Sequence, residues 1–438
     1  MGPWLDSLTG WLTANPQWLG LAVFIVACIE CLAIAGIIVP GTVLLFAIAV
    51  MAGSGALSLG ETLLLGFFGG LLGDVISYML GRRFHQNIRR LPLLRTHPEW
   101  MNGAESYFHK YGIVSLLVGR FIGPLRPMLP MVAGMCDMPI PRFLGVSLLA
   151  GAGWAVAYLL PGWATGAAIR LPLPEGFWPQ AAFVAVGLAA LLGLSINASV
   201  RRQPKATLLI GALSLTLLLA VFIGYPYMTA FDQGINALVQ EHRSRAMDMG
   251  AVLVTLIGNF RTQFLAATLV CVILLLTRQW RAMWFFGGVT LCTALLNTAT
   301  KYFFARVRPD VLVDPLISYS MPSGHSSGAF AFFVALAILA GREQPQRMRV
   351  TWVLLGCLAA ITVAMSRVYL GVHWPTDIMA GALLAITVSA FALALSQRFM
   401  PLTAIPQKIW WLLLPAVTAL YSFFIINHLS GELLRYAY

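Results

Sequence analysis

The chain has 438 residues, of which 59% are hydrophobic and 10% are charged, and its formal net charge is +12. Many apolar runs reach the roughly 20 residues that a helix needs to cross a bilayer, which excludes a soluble globular protein and predicts an all-α, polytopic membrane protein. In such a protein, lysines and arginines in short loops indicate membrane orientation and lipid headgroup contacts, and no nucleic-acid partner is predicted.

The first 81 residues alternate apolar stretches with breaks. Residues 1–12 lack the basic start of a cleavable signal and are typical of an interfacial amphipathic segment. Residues 17–58 are interrupted at Pro40-Gly41 and are predicted to form a re-entrant hairpin. A helix at 60–81 follows this hairpin.

The next elements predict a second hairpin of opposite orientation. Lysines and arginines between 82 and 110 place that segment in the cytoplasm. A helix at 140–168 is predicted to run outward and one at 176–197 inward, so residues 111–139 begin and end in the cytoplasm. The middle of this segment, GRFIGPLRPMLP, contains the glycines and prolines that such a turn requires. A hairpin and a helix followed by their inverted copies are typical of transporters.

Four ionisable residues lie in or beside these apolar runs. They are Glu30, Asp74, Arg120 and Arg126. One interpretation is that they form structural ion pairs, because isolated charges inside a membrane are costly. The other is a proton-coupled pathway for an anionic lipid headgroup, in which the arginines bind phosphate and the carboxylates exchange protons.

A basic stretch at 198–206 predicts a linker to the rest of the chain, which has seven predicted spans. Basic loops between these spans fit one membrane face, the cytoplasmic one. The spans are predicted at 206–225, 249–277, 282–303, 326–341, 350–369, 377–397 and 409–428. This topology places the loop at 304–325 and the turn around His373 together on the outer side. Four aromatic residues near the last span are predicted interfacial anchors: Trp410, Trp411, Tyr421 and Tyr436.

Three polar clusters fall on the predicted outer side. They are KYFFARVRP (Lys301 to Pro309), PSGH (Pro322 to His325) and SRVYLGVHWPTD (Ser366 to Asp377). Alone, each has a structural interpretation: basic residues at a membrane interface, a capped helix start, and an i, i+4 pair on one helix turn. Together at one membrane edge they are costly, which indicates a functional site.

The residue types in these clusters suit phosphoryl transfer. The predicted phosphate-binding residues are Lys301, Arg308, Ser323, Gly324 and Arg367. One neutral imidazole would attack phosphorus and a second, protonated one would release the alkoxide. Asp377 lies one turn beyond His373, where it can hold the tautomer of that histidine. No carboxylate cluster for a metal accompanies them, so the predicted reaction needs no metal or cofactor and passes through a phosphohistidine.

The order and spacing of the three clusters resemble the signature of the type 2 phosphatidic acid phosphatase superfamily over about residues 206–397. The resemblance implies that His373 is the nucleophile and His325 the general acid. It also implies a six-helix core whose site faces the periplasm from a bacterial inner membrane, with the helix after residue 408 outside the pattern. Vanadium haloperoxidases share these motifs, but they are soluble, which disfavours that alternative.

The N-terminal half resembles the DedA membrane proteins over about residues 15–170. The matching segments are Pro40-Gly41, GDVISYMLGR, FHKYG, GRFIGPLRPMLPMVAG and Gly153-Trp154. That family is associated with moving lipid carriers, including polyprenyl phosphates, across bilayers. The resemblance therefore implies a lipid transport role for Glu30, Asp74, Arg120 and Arg126.

The predicted fold is an all-α polytopic membrane protein with two dissimilar halves. A DedA-like inverted repeat with two re-entrant hairpins precedes a six-helix lipid phosphatase core with one extra helix. The predicted divisions are 1–197 for the transport domain, 198–206 for the linker, 207–400 for the phosphatase domain and 401–438 for the extra transmembrane helix.

The pairing of the two halves suggests the substrate undecaprenyl pyrophosphate. Its outer-leaflet dephosphorylation gives a monophosphate carrier that a proton-coupled DedA-like half would return inward. One alternative is a phosphatase for phosphatidic acid or phosphatidylglycerol phosphate. Another is a lipid transporter with an accessory or vestigial phosphatase domain.

Overall fold

A computed structural model describes the protein at residues 10–12, 14–33, 35–38, 41–84, 102–103, 105–106, 108, 113–120, 126–200, 205–312 and 318–436. Within these ranges every regular element is a helix. Eight of the described helices are long and apolar enough to cross a membrane, or nine if one bent pair counts as a single span. The prediction of an all-α polytopic membrane protein is therefore confirmed. Contacts divide the chain into two compact units, Met1–Pro172 and Leu173–Tyr438.

The first unit contains four short and two long helices in its described part. They are α1 (Leu19–Cys31), α2 (Gly41–Met51), α3 (Leu59–Phe84), α4 (Ile113–Gly119), α5 (Met128–Met135) and α6 (Ile140–Arg170), with shorter turns at Pro16–Trp18, Ala35–Ile38 and Ala52–Ala56. Only α3 and α6 are long enough to cross a bilayer. Two short helices thus precede each long one, in the predicted order.

The two re-entrant hairpins remain a prediction. Pro40, where the first is predicted to turn, lies outside the described residues, as do 121–125 of the second and 85–101 of the basic segment.

Close packing of α3 organises the first unit. Helix α3 packs against α1, α5 and α6. A Cβ at Gly69 or Gly73 would overlap the carbonyl oxygen of Phe24 or Cys28 on α1. Small residues four apart let two helix backbones approach in this way inside a membrane. The charged residues of α1 and α3 are therefore held close together.

The second unit contains ten helices in its described part. They are α7 (Phe177–Val200), α8 (Ala206–Gly224), α9 (Thr229–Glu241), α10 (Arg245–Ile257), α11 (Phe260–Leu276), α12 (Trp280–Phe304), α13 (Gly324–Ala340), α14 (Gln346–Tyr369), α15 (Pro375–Phe399) and α16 (Gln407–Arg435), with a 3₁₀ turn at Tyr225–Tyr227. Its core lies among α11 to α16 and includes Phe286 and Phe332. Helix α13 packs between α12, α14 and α15.

The second unit departs from the predicted elements in three ways. It begins at Leu173, before the predicted linker at 198–206, because α7 packs against α8 and α9. The predicted span 249–277 is divided into α10 and α11 with a bend of 45° between them. The side chain of Asn259 caps the start of α11 at this bend. The amphipathic helix α9 was not predicted at all.

Candidate functional site

All three sequence clusters of the second unit meet at one cavity of about 1060 Å³. Lys301 comes from the end of α12 and Arg308 from the loop after it. His325 comes from the start of α13, and Arg367 from the end of α14. His373 follows in the turn before α15. The structure therefore brings together the two histidines and the three cations that the motifs single out.

The ring of His373 is held at both nitrogens. Its Nδ1 lies 3.4 Å from Asp377 Oδ2, and its Nε2 lies 3.0 Å from Arg308 Nη1. Since a guanidinium only donates, Nε2 is the acceptor and Nδ1 carries the proton in this arrangement. Asp377 Oδ2 also accepts a bond of 2.9 Å from the backbone N–H of Trp374. The unprotonated Nε2 lone pair thus faces the cation-lined cavity.

The surroundings of His373 also favour its neutral form. Burial, followed by the charges of Arg308, Arg367 and Lys301, lowers the pKa of His373 well below its usual range. Burial and the neighbouring Arg367 lower the pKa of Arg308 to about 10, which leaves that guanidinium protonated at neutral pH. A neutral imidazole beside fixed cations can act as a nucleophile towards an anionic phosphate.

Two residues outside the predicted site support Asp377. Arg306 bonds Asp377 Oδ1 at 2.8 Å and Asp232 Oδ2 at 2.6 Å. Asp232, on α9, also accepts bonds from the backbone N–H and the hydroxyl of Thr376. Sequence reasoning treated Arg306 only as a basic interface residue and missed Asp232, a single carboxylate with no motif around it. The sequence feature that could have drawn attention to Asp232 is the amphipathic pattern of α9, the helix that carries it.

The start of α13 places the second histidine. Ser323 caps this helix by accepting from the backbone N–H of Ser326, and its own N–H donates to the Asp377 carbonyl at 3.0 Å. Ser323 is fully buried and caps the helix, and its predicted contact with phosphate remains a prediction. Gly324 and His325 line the cavity. At Gly258, in the bend between α10 and α11, a Cβ would stand only 3.1 Å from the His325 ring.

The C-terminal helix also reaches the cavity, which corrects the prediction that Tyr436 is an interfacial anchor. Tyr436 is only 5% exposed. Its hydroxyl lies 2.8 Å from Arg367 Nη1, and its backbone carbonyl accepts a bond of 2.7 Å from Arg243. Tyr436 and Arg435 both line the cavity. No sequence pattern connects residues 367 and 436, so only the folded chain shows this contact.

Beyond its polar end, the cavity is an apolar groove between α11 and α12. Met283 and Lys301 of α12 both line it, so at 1.5 Å per residue it extends about 27 Å along that helix. Phe264, Trp284 and Leu291 on its walls are exposed, which opens the groove to the surroundings of the protein. A polar head with a long apolar groove suits an amphiphile.

The four ionisable residues of the first unit form two buried ion pairs. Arg120 pairs with Asp74, and Arg126 pairs with Glu30. Thr42 donates to Glu30 Oε1 at 2.7 Å, and Arg126 Nε donates to the Arg120 carbonyl at 2.9 Å. All four charged side chains are buried. This arrangement agrees with the structural interpretation, and the transport interpretation remains a proposal.

Aromatic rings and unpartnered atoms surround these ion pairs. The Arg120 and Arg126 guanidinium carbons lie 5.0 and 5.4 Å from the Trp154 ring centroid. In the described part of the chain, Glu30 Oε2, Asp74 Oδ1, Arg120 Nε and Trp154 Nε1 are buried without a hydrogen-bond partner. Buried polar atoms rarely remain unpaired, so this cluster can accept a polar ligand, water or protons.

Comparison with known families agrees with this division of the chain. Residues 39–164 match the VTT domain, and residues 281–401 match the PAP2 superfamily. The first match contains Asp74, Arg120 and Arg126, and the second contains Lys301, His325 and His373. Asp232 and Tyr436 lie outside both.

Relatives of the N-terminal half are membrane proteins. The inner membrane protein YabI of Escherichia coli is 39% identical over 38% of this chain and 65% of its own length. An uncharacterized membrane protein of Buchnera aphidicola from Schizaphis graminum is 37% identical over 39% of this chain and 67% of its own. The inner membrane protein YqjA of Escherichia coli is 30% identical over 35% and 71%. The chain thus spans about two thirds of the length of these curated relatives.

One solved structure is similar to part of this chain. It is the first transmembrane PAP2 type phosphatidylglycerolphosphate phosphatase from Bacillus subtilis, at 22% identity and a TM-score of 0.39, over 43% of this chain and 98% of the other. The predicted fusion is confirmed by the two family matches: the chain is a multi-pass membrane protein that belongs to the DedA (VTT domain) family through its N-terminal half and carries a PAP2 superfamily domain at residues 281–401.

Proposed function

We propose that the C-terminal half is a metal-independent lipid phosphatase that works through a phosphohistidine. The observation that carries the proposal is the cavity in which His373 Nε2, His325 and three cations meet at the head of an apolar groove. The cations supply the charge that a transferring phosphoryl group requires, and the groove fits a hydrocarbon chain.

The first step transfers the phosphoryl group to His373. Nε2 attacks phosphorus, and the bond from phosphorus to the leaving oxygen of the lipid breaks. His325 donates its proton to that oxygen, while Asp377 stabilises the positive charge on the ring. Lys301, Arg308 and Arg367 offset the charge of the phosphate oxygens.

The second step returns the enzyme to its starting state. Neutral His325 takes a proton from water as the water oxygen attacks the phosphohistidine. The bond from phosphorus to nitrogen breaks, inorganic phosphate leaves, and both histidines recover their initial protonation. Since the phosphate dianion brings negative charge next to His325, substrate binding itself favours the protonated acid that the first step needs.

We propose undecaprenyl pyrophosphate as the substrate and the periplasmic face of a bacterial inner membrane as the place of reaction. The leaving group would then be undecaprenyl monophosphate. The groove along α11 and α12 supports a long-chain substrate, and the N-terminal DedA half supports a product that must be moved. Phosphatidic acid and phosphatidylglycerol phosphate are the alternative substrates.

The N-terminal half would carry the lipid monophosphate across the membrane. Arg120 and Arg126 would bind its phosphate when they exchange their carboxylate partners for the ligand. Asp74 and Glu30 would then take up protons, because an unpaired buried carboxylate is costly. The unpartnered polar atoms around these ion pairs support such an exchange. We assign transport to the first unit, which lies within the predicted domain 1–197, and hydrolysis to the second unit, which includes the predicted domain 207–400.

The test is phosphate release by purified full-length protein from a panel of lipid phosphates, with and without EDTA. We expect undecaprenyl pyrophosphate to give the highest kcat/KM and EDTA to leave it unchanged. Hydrolysis of phosphatidate alone would overturn the substrate assignment. Loss of all activity with EDTA and recovery with a divalent ion would overturn the metal-free scheme.

A further inference from the structure

The C-terminal helix α16 contributes to a site that the matched family domain does not contain. The PAP2 match ends at residue 401, whereas α16 begins at Gln407. The helix packs against α10 and α11, and its end places Tyr436 in an apolar cluster with Leu256 and Val372. Val372 directly precedes His373, so this cluster also borders the histidine turn.

The bonds of Arg367 show what the helix does at the site. Arg367 is 1% exposed, and Thr255 Oγ1 and Tyr436 Oη each lie 2.8 Å from its Nη1. The Tyr436 ring centroid is 5.3 Å from its guanidinium carbon. Arg367 Nε, by contrast, is buried without a partner in the described part of the chain.

This bonding pattern leaves one edge of the guanidinium available. Nη1 lies on the Cδ side, whereas Nε and Nη2 form the edge that binds carboxylate or phosphate oxygens side-on. Two hydroxyl groups therefore hold the guanidinium at Nη1, and the unpartnered Nε belongs to the edge that suits a phosphate. Since a buried charged donor without a partner is costly, this edge of Arg367 suits an anion as its partner.

We propose that Tyr436, together with Thr255, is a positioning residue that orients Arg367 for the phosphate of the substrate. Helix α16 is then a working part of the phosphatase site and not an appended span. The proposal deepens the proposed function, on which it rests for the role of Arg367.

The test compares two variants that each remove one oxygen atom from the same helix. Tyr436→Phe removes the hydroxyl that faces Arg367 and keeps the packed ring. Tyr421→Phe removes a buried hydroxyl of α16 that lies beside Gln263 and does not itself line the cavity, and it serves as the control. Full-length protein in detergent is titrated with inorganic phosphate by calorimetry, and KM, kcat and Tm are measured separately.

We expect Tyr436→Phe to raise the Kd for inorganic phosphate and the KM for lipid phosphate by about tenfold, the effect of losing one hydrogen bond to a charged group. Its ligand-free Tm should match that of Tyr421→Phe, and Tyr421→Phe should bind phosphate as the wild type does. Thr255→Val should weaken phosphate binding in the same direction, which provides a second variant if Tyr436→Phe does not fold.

Unchanged phosphate affinity in both Tyr436→Phe and Thr255→Val would overturn the proposal. Tighter binding would also overturn it, because the hydroxyl would then compete with phosphate for Arg367. If the wild-type protein binds no inorganic phosphate at millimolar concentrations, the proposed phosphate site itself is excluded. If the wild type binds phosphate but hydrolyses no lipid phosphate, the proposed function fails while the positioning role is still decided by the titration.

Discussion

At the scale of single residues, the state of His373 follows from the groups on its two nitrogens. Asp377 fixes the proton on Nδ1, and Arg308 donates to Nε2. The same Arg308 is one of the predicted phosphate ligands, so an incoming phosphate oxygen would draw this donor from Nε2. Substrate binding would then free the lone pair that attacks phosphorus. Ligand binding and activation of the proposed nucleophile would thereby be coupled.

The lowered pKa of His373 predicts the acid side of the pH profile. A histidine with a depressed pKa stays neutral until the pH falls below that value, so activity should persist below pH 6.5, the usual range for histidine. We expect the acid limb of kcat/KM to lie well below pH 6.5. The measurement is kcat/KM of the wild type against pH, with His428→Ala, which removes an exposed histidine of α16, as the control. An acid limb at or above pH 6.5 would contradict the burial and charge effects at His373.

At the scale of elements, short sequence motifs predicted the residues that line the polar end of the cavity. Residues that reach the site through contacts between distant segments were not predicted. Lys301, Arg308, His325 and His373 belong to short motifs whose spacing reflects their shared chemistry, and the structure gathers all four at one cavity. Asp232 acts through a contact to Arg306, seventy-four positions away. No local pattern encodes such a contact, because it arises only when α9 lies close to the loop after α12. The C-terminal end of α16 was missed for the same reason.

The bend between α10 and α11 shows that a continuous apolar stretch of sequence need not form one straight helix. Apolar residues on both sides of Gly258 predicted one continuous span, since hydropathy is insensitive to a local turn. The bend brings the small residue Gly258 against His325 and turns α11 along the groove. The interruption therefore shapes both the polar end and the apolar wall of the cavity.

The groove predicts that one substitution in α12 changes the preference of the protein for substrates of different chain length. Gly288 lines the groove, and a Cβ there would meet no atom within 4 Å. Gly288→Leu should fold and place a side chain in the path of the lipid chain. We expect kcat/KM for a long-chain lipid phosphate to fall by at least about tenfold, while that for a short-chain, water-soluble phosphomonoester stays within about twofold.

A matched substitution controls for the general effect of leucine in a helix. Gly250 on α10 also has open space around its Cβ position, but it does not line the groove. Gly250→Leu should leave both substrates unaffected. Equal losses for the two substrates in Gly288→Leu would mean that the groove does not hold the lipid chain.

At the scale of the whole molecule, the two units have separate charge clusters with different chemistry. The buried cluster of the first unit pairs Arg120 with Asp74 and Arg126 with Glu30, so this cluster is neutral overall. The second gathers Lys301, Arg308 and Arg367 around two imidazoles, and its carboxylate Asp377 is already bonded to Arg306. A neutral, exchangeable cluster suits reversible binding of an anion. A net positive one suits stabilisation of a phosphoryl transition state.

Each activity should therefore survive the loss of the other. The double variant Glu30→Gln, Arg126→Gln removes both charges of one buried ion pair, which avoids leaving either one uncompensated. In proteoliposomes we expect it to abolish movement of a labelled polyprenyl monophosphate and to retain phosphate release from the diphosphate. His373→Ala should abolish phosphate release and retain movement of the labelled lipid, because it removes the proposed nucleophile and leaves the first unit unchanged. If the double variant also lost phosphate release in detergent, where no transport is required, hydrolysis would depend on the first unit and the assignment of one activity to each half would be wrong.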